Sequence, residues 1–157
     1  MSIDERFQDL GLTLPEPMKT ANLPFDLSRI DGQILYLSGH VPTEMDGSMA
    51  KPLGKVGDTV TPEQAYEAAR KIALGLFASI HQAVGSLDRV EGWLKVFGMV
   101  NTAPGFNAIP PVINGCSDLI LEVFGADIGA HTRSAVGMAE LPFGVPVEIE
   151  AQVKIRL

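Results

Sequence analysis

Apolar and polar side chains alternate most regularly near the end of the chain. In residues 147–156 every second residue is apolar, and the residues between them are Glu, Gln, Lys or Arg. Alternate side chains of a strand point to opposite faces, so this period predicts a half-buried strand. A shorter alternating run, residues 133–139, precedes it, and residues 141–146 between the two are rich in turn formers. We therefore predict that the two runs form a hairpin.

Apolar residues spaced three and four apart predict two helices in the middle of the chain. The first begins with Thr61 as its N-cap, has Gln64 at the capping-box position, and ends at Gly85. The second begins at Pro110 and is ended by Gly125. Helices with one apolar stripe need a surface to cover, so we expect both to pack on a sheet.

The first forty residues predict a helix, an arm and a pair of strands. Residues 2–10 have the caps of a short amphipathic helix, and residues 12–24 contain three prolines typical of an extended arm. The apolar run 33–39 follows the turn signal Asp31-Gly32, which makes residues 25–30 its partner strand.

The remaining segments complete the predicted order of elements. Residues 41–60 lack periodicity and predict a long loop, and residues 90–100 predict a strand whose two glycines indicate a bulge or a close backbone approach. The order strand, strand, loop, helix, strand, helix, strand, strand favours an α+β fold, a single sheet with two helices on one face. We predict one domain over residues 1–157, with residues 1–23 as an N-terminal arm.

A sheet covered on one face leaves the other face without a cover. The small residues Ala135, Gly137 and Ala139 in the run 133–139 are our candidates for a subunit contact. We therefore predict an oligomer.

Composition excludes several classes of function. The net charge of -7 and the pI near 4.8 disfavour a nucleic-acid-binding surface, which needs clustered Lys and Arg to neutralise phosphates. No apolar run reaches the ~18 residues of a membrane span, and the acidic N-terminus is unlike a secretory signal. We expect a cytoplasmic protein that binds neither nucleic acid nor membrane.

The single cysteine and the three histidines give no metal or disulfide signature. Cys116 has no partner for an internal disulfide, and we interpret it as a small core residue. We interpret His40, His81 and His131, which are isolated in the sequence, as surface or hydrogen-bonded histidines. We predict no metal site and no cofactor.

Arg133 and Glu148 are the first candidates for chemistry. Arg133 lies among small residues that leave room for a ligand, and its planar guanidinium matches a carboxylate. An arginine solvated at a strand end is the alternative interpretation. Glu148 could orient or deprotonate a water molecule, although its alternation with Glu150 is also typical of a solvated polar face.

Three further residues are weaker candidates. Asn114 lies in the first turns of the second predicted helix, where its amide either caps the helix locally or reaches a ligand. Ser38 and Gly39 end the second predicted strand, where backbone N–H groups could bind an anion or simply form a turn.

Taken in order, these segments resemble the Rid (reactive intermediate deaminase, YjgF-like, also called endoribonuclease L-PSP) family. The resemblance rests on residues 31–42, on residues 90–97 leading to Asn114, and on the motifs R-S-A-V at 133–136 and L-P followed by V-E-I-E at 141–150. It implies a chorismate-mutase-like fold, a homotrimer, and clefts between subunits that bind small carboxylates. It also implies hydrolysis of 2-imino acids to 2-keto acids and ammonia without a cofactor.

The resemblance assigns roles residue by residue. It implies that Arg133 binds the substrate carboxylate and that Glu148 positions the attacking water, while Asn114, Ser38 and Gly39 line the cleft. The sequence departs from the family pattern at three places: Ala135 replaces the usual cysteine, Phe25 the usual tyrosine, and His40 the usual glutamine. These changes alter the walls of the cleft, so a trimeric carboxylate-binding or regulatory protein without turnover is the alternative function.

The predicted hairpin places Arg133 and Glu148 on one face but far apart. Glu148 would lie opposite residue 138 or 139, so at ~3.4 Å per residue Arg133 would be roughly 17 to 20 Å away. One chain then cannot bring both to one ligand. We therefore expect Glu148 to come from an adjacent subunit if both residues serve one site.

Overall fold

The strands of the sheet have a spatial order that differs from their order along the chain. The computed structural model describes residues 1–157, and its strands are β1 (Ser28–Asp31), β2 (Ile34–His40), β3 (Val90–Asn101), β4 (Thr132–Met138) and β5 (Val147–Ile155). They are ordered β1-β2-β5-β3-β4, and only the β3–β4 pair is parallel. The central strand is therefore β5, which lies between β2 and β3.

Three helices accompany the sheet: α1 (Ile3–Asp9), α2 (Pro62–Val84) and α3 (Ile109–Gly129). The long helices α2 and α3 pack against each other and against one face of the sheet, and the buried side chains between them form the main core. The predicted α+β fold, a single sheet with two helices on one face, is confirmed. None of the helices combines the length and the hydrophobicity that a membrane-spanning segment needs.

Local sequence signals set the helix ends. The Thr61 hydroxyl accepts from the Gln64 amide while the Gln64 side chain accepts from the Thr61 amide, and Gly85 ends α2 with φ of +83°. Ser2 and Glu5 form the same reciprocal box at α1. These caps satisfy N–H groups that a helix end leaves without partners, which explains why the predicted limits of α1 and α2 are confirmed within two residues.

The glycines of β3 have the two roles that the sequence indicated. The register with β5 shifts between Val90 and Gly92, which is a bulge. A β-carbon on Gly98 would lie 2.6 to 2.7 Å from three side-chain carbons of Ile113, so α3 approaches the backbone of β3 closely there. Gly125, at φ of +76°, breaks the helical geometry of α3, but the prediction that it ends the helix is wrong, because the helix resumes and continues to Gly129.

The predicted hairpin of residues 133–139 and 147–156 is wrong. β4 pairs with β3 in parallel, with Arg133 beside Val96, and β5 pairs with β2 and β3 instead. The order β3, α3, β4 is a strand-helix-strand unit, whose two strands usually lie parallel in one sheet. The alternation in β5 identifies a strand with one buried face, but it carries no information about which neighbours that strand pairs with.

The loop 41–60 is tied to the ends of β3 and β4. Val56 and Val60 are fully buried in the main core. The Lys55 ammonium donates to the Asn101 side chain at 2.9 Å and to the carbonyl of Ala139. The loop thus closes one end of the sheet.

Candidate functional site

Arg133 lies on the helix face of β4, beside α3. Its neighbour in β3, Val96, is fully buried under the helices. Its Nη1 donates to Asn114 Oδ1 at 2.7 Å and to Ser117 Oγ at 3.1 Å, and Nη2 donates to the Pro110 carbonyl at 3.4 Å. These acceptors are neutral, and no carboxylate forms an ion pair with the guanidinium. The positive charge is therefore available to an anionic ligand.

Two N–H groups of the Arg133 guanidinium have no hydrogen-bond partner, and we call them its free edge. Three of its five N–H groups are used by the contacts above, which leaves Nε–H and one Nη2–H. Nε–H and an Nη2–H point in the same direction and match the two oxygens of a carboxylate. The half-buried arginine is therefore arranged for bidentate binding of a small acid.

An open groove adjoins Arg133 where α3 joins β4. Its volume is about 370 Å³, and it is lined by Ser117, Leu121, Ala130, His131 and Arg133. This volume lies in the range of ligand pockets. The groove combines an apolar wall with hydrogen-bonding groups beside the cation.

Ala135 and Cys116 lie behind Arg133. Ala135 pairs with Gly98 and packs against the main core, on the same helix face as Arg133. Gly137 also faces the helix side, since a β-carbon there would lie 3.1 Å from Ile109. Neither is on the uncovered face, so the interpretation of the two as contacts of that face is wrong. Cys116 is fully buried and burial raises the pKa of its thiol to about 12, which confirms a core role.

Glu148 lies on the uncovered face of β5, opposite Met99. Its carboxylate lies against the backbone of Gly39, where a β-carbon would come within 2.7 Å of Oε1. Burial, and then the charge of Glu150, raise the pKa of Glu148 above its ordinary value. No hydrogen bond or ion pair compensates this partly buried group. A carboxyl with a raised pKa suits proton transfer near neutral pH.

Ser38 and Gly39 form a bulge beside Glu148. The register between β2 and β5 shifts between Leu37 and His40. The Ser38 hydroxyl donates to the Asp26 carbonyl at 2.7 Å, which ties it to the segment that carries the exposed Phe25. Ser38 also lines a groove of about 250 Å³ on the uncovered face of the sheet. The structure thus brings Ser38, Gly39 and Glu148 together.

His40 has a structural role. It is buried, and its ring nitrogens contact the Ser38 carbonyl at 2.6 Å and Ser79 Oγ at 2.7 Å. Burial lowers the pKa of His40, so the ring is neutral at ordinary pH. The prediction of a hydrogen-bonded histidine is confirmed for His40.

The candidate residues form two separate groups on opposite faces of the sheet. Arg133 pairs with residue 96 of β3 on the helix face, whereas Glu148 pairs with residue 99 on the uncovered face. The prediction that they share a face is wrong, because it assumed the hairpin. Three residues at ~3.4 Å and two strand spacings of ~4.8 Å put their backbones about 14 Å apart. At this separation, and on opposite faces, the two side chains of one chain still cannot reach the same small ligand.

Sequence reasoning missed Ser117 and treated His131 as isolated. Ser117 follows Asn114 by three residues in α3 and therefore lies on the same helix face. His131 precedes Arg133 by two residues, and its Nε2 lies 2.9 Å from Ser117 Oγ. These spacings were the available signal. No group of three or more His, Cys, Asp or Glu side chains is placed to hold a metal ion.

Comparison with known proteins identifies the family. Residues 4–145 match the family described as "YjgF/chorismate_mutase-like, putative endoribonuclease". The chain belongs to the YjgF family. The resemblance drawn from residues 31–42 and 133–150 is thereby confirmed.

Relatives of this YjgF protein occur in a protozoan and in bacteria. It is 39% identical to Protein TCP17 of Trypanosoma cruzi over 149 residues, which cover 94% of this chain and 91% of that protein. A protein of unknown function from Agrobacterium tumefaciens is also 39% identical, with a TM-score of 0.87 over 98% of this chain and 92% of the other. A protein from Shewanella oneidensis, named a putative endoribonuclease, is 27% identical with a TM-score of 0.91 over 99% and 100% of the two chains.

Proposed function

We propose that this protein hydrolyses 2-imino acids to 2-keto acids and ammonia, in a cleft between the subunits of a cytoplasmic homotrimer. The observation that carries the proposal is that the Arg133 guanidinium is held by neutral acceptors and keeps two N–H groups free for a carboxylate. A 2-imino acid presents a carboxylate next to the carbon that water must attack. Arg133 therefore selects the substrate class and orients the reacting carbon.

Glu148 supplies the proton transfer. Glu148 takes a proton from a water molecule as the water oxygen adds to the imine carbon, and this proton then passes to the imine nitrogen. The resulting carbinolamine then loses ammonia and forms the keto acid. The raised pKa of Glu148 favours both steps, because a group with a pKa nearer neutrality accepts and returns a proton readily. The hydrolysis changes no overall oxidation state, so it needs no redox cofactor, and Arg133 and Glu148 supply the carboxylate binding and the proton transfer.

The separation of the two groups supports a site shared by two subunits. Arg133 and Glu148 lie on opposite faces of one sheet, about 14 Å apart along it. A heterologous contact repeated around a three-fold axis presents two different surfaces of one chain to each other. Asn114 then accompanies Arg133 from one subunit, while Ser38, Gly39 and the exposed Phe25 accompany Glu148 from the next.

A carboxylate-binding or regulatory trimer without turnover is the second candidate. It is favoured by Phe25 and Ala135, which carry neither the hydroxyl nor the thiol usual at these places in the family the chain resembles. An endoribonuclease activity agrees poorly with the net charge of -7, because RNA affinity depends on neutralising phosphates.

The test is a coupled assay in which an amino acid oxidase generates the imino acid and release of the keto acid is followed. We expect the protein to accelerate release, Arg133→Ala to abolish the acceleration, and Arg70→Ala to retain it. Arg70 is a suitable control because its ion pair with Glu122 is exposed on the helices. Equal rates for wild type and Arg133→Ala would contradict the proposal. Glu148→Gln separates the candidates: a deaminase loses turnover and retains 2-oxobutanoate binding, whereas a binding protein shows no turnover in any form.

A further inference from the structure

Ser117 and His131 form a hydrogen-bonded chain behind Arg133. Ser117 is buried on α3 and accepts from Arg133 Nη1 at 3.1 Å, and its oxygen lies 2.9 Å from His131 Nε2. His131 Nδ1 lies 2.7 Å from the carbonyl of Gly129. The three side chains therefore connect the guanidinium to the backbone at the end of α3.

The direction of each hydrogen bond follows from the groups at the two ends. The Gly129 carbonyl can only accept, so His131 Nδ1 carries a proton and donates. In the neutral ring Nε2 then accepts, and its donor is the Ser117 hydroxyl. The lone pairs of Ser117 are left to face Arg133, which can only donate. His131 thus fixes the rotation of the Ser117 hydroxyl in the orientation that accepts from Arg133.

Few other contacts fix the orientation of the guanidinium. Asn114 accepts at 2.7 Å, but the contact to the Pro110 carbonyl is long at 3.4 Å. On another side lies the open groove of about 370 Å³. The groove gives the guanidinium space to turn, and the hydrogen bonds to α3 hold its free edge in one direction.

We propose that Ser117 and His131 are positioning residues that aim the free edge of Arg133 at the substrate carboxylate. The proposal rests on the proposed function for the identity of the ligand. Without the Ser117 hydroxyl, one Nη1–H loses its acceptor and the guanidinium turns into the groove. A guanidinium turned away from the substrate still attracts an anion but no longer binds it through two parallel hydrogen bonds.

The first experiment needs no ligand and tests the positioning directly. In ¹⁵N NMR spectra of the ligand-free protein, restricted rotation keeps the Nη signals of an arginine separate, whereas free rotation averages them. We expect separate signals for Arg133 in the wild type and averaged signals in Ser117→Ala and His131→Leu. Separate signals in both variants would overturn the proposal, whatever the protein's activity.

The second experiment measures the consequence for binding, with 2-oxobutanoate as the carboxylate probe and 2-oxobutanamide as its neutral control. Calorimetry should show about tenfold weaker binding of the acid by Ser117→Ala and His131→Leu, the effect of one lost hydrogen bond to a charged group. Binding of the amide should change little. Equal losses for both probes would mean general damage to the site and would overturn the proposal.

Conservative variants guard against a purely structural effect. Ser117→Thr keeps the hydroxyl, and His131→Gln keeps a side-chain oxygen that can accept from Ser117, so each should regain most of the affinity for the acid. Failure of both to do better than Ser117→Ala and His131→Leu would contradict a positioning role. If the wild type binds no 2-oxobutanoate while its Arg133 signals behave as expected, the proposed function fails and the positioning of Arg133 stands.

Discussion

The carboxylate of Glu148 lies directly over Gly39, so close that a β-carbon at residue 39 would be 2.7 Å from Oε1 and 3.1 Å from Cδ. The contact joins β5 to the bulge of β2 and sets the position of the carboxyl group to which we assign the proton transfer. A glycine at residue 39 is therefore a requirement of the proposed proton transfer.

Gly39→Ala should lower kcat/KM at least tenfold and leave the protein folded. The added methyl group displaces the end of a flexible side chain, which costs little stability but moves the carboxylate away from the water that we propose it activates. Gly92→Ala is the matched control, since a β-carbon there meets nothing within 4 Å. Steady-state kinetics and thermal melting of both variants check this. Unchanged kinetics in Gly39→Ala would show that the position of Glu148 is irrelevant to turnover.

Glu148→Gln should stabilise the protein at high pH. Burial and the charge of Glu150 raise the pKa of Glu148 in the folded state above its ordinary 4.5. The folded chain therefore holds this proton more tightly than the unfolded chain, and the wild type loses stability as the pH rises through the folded pKa. Below about pH 4.5 the carboxyl is neutral in both states and the difference disappears.

Melting temperatures of wild type and Glu148→Gln, measured from pH 4 to pH 8, test the sign of this effect. The variant should melt higher at pH 8 and together with the wild type at pH 4. Glu67→Gln, an exposed position on α2, serves as the control and should follow the wild type throughout. A variant that melts lower at pH 8 would mean that the ionised carboxylate is stabilised in the fold.

Gly98→Ala should destabilise the protein by about 1–3 kcal/mol, because a methyl group there overlaps the Ile113 side chain. For a chain of this size that corresponds to roughly 2 to 4 °C in Tm per kcal/mol. Activity should also fall, since Ile113 adjoins Asn114 and α3 must move. In a double-mutant cycle, Ile113→Ala should relieve part of the cost of Gly98→Ala. Strict additivity of the two changes would contradict the close packing of α3 on β3.

The features that the sequence could predict are those determined by residues close together in the chain. Thr61 and Gln64 cap α2 across three residues, and the two glycines of β3 indicated a bulge or a close backbone approach, of which Gly98 shows the second. The alternation of apolar and polar residues could not predict which strand pairs with β4, because alternation defines the two faces of a strand and not its neighbours. The order of β3, α3 and β4 did contain a parallel crossover, which the turn-rich segment before β5 obscured.

The candidate site was predictable to a similar extent. Arg133 and Asn114 meet as expected of one cleft, and Glu148 meets Gly39. The hydrogen bond between Ser117 and His131 joins residues that are fourteen apart in the chain, across the end of α3. Serine and histidine are common residue types, and these two belong to no recognisable motif. Such contacts depend on how a helix docks on a strand, which local pattern does not specify.

The central claim is that one site takes Arg133 from one subunit and Glu148 from the next, and mixed assemblies test it most directly. Arg133→Ala and Glu148→Ala proteins should each be inactive. When they are unfolded together and reassembled in equal amounts, random mixing around a three-fold axis gives about one quarter of the sites both intact residues. The account predicts that deaminase activity returns to about that fraction of the wild-type value. Mixed trimers that show no recovery would place the whole site within one chain and contradict it.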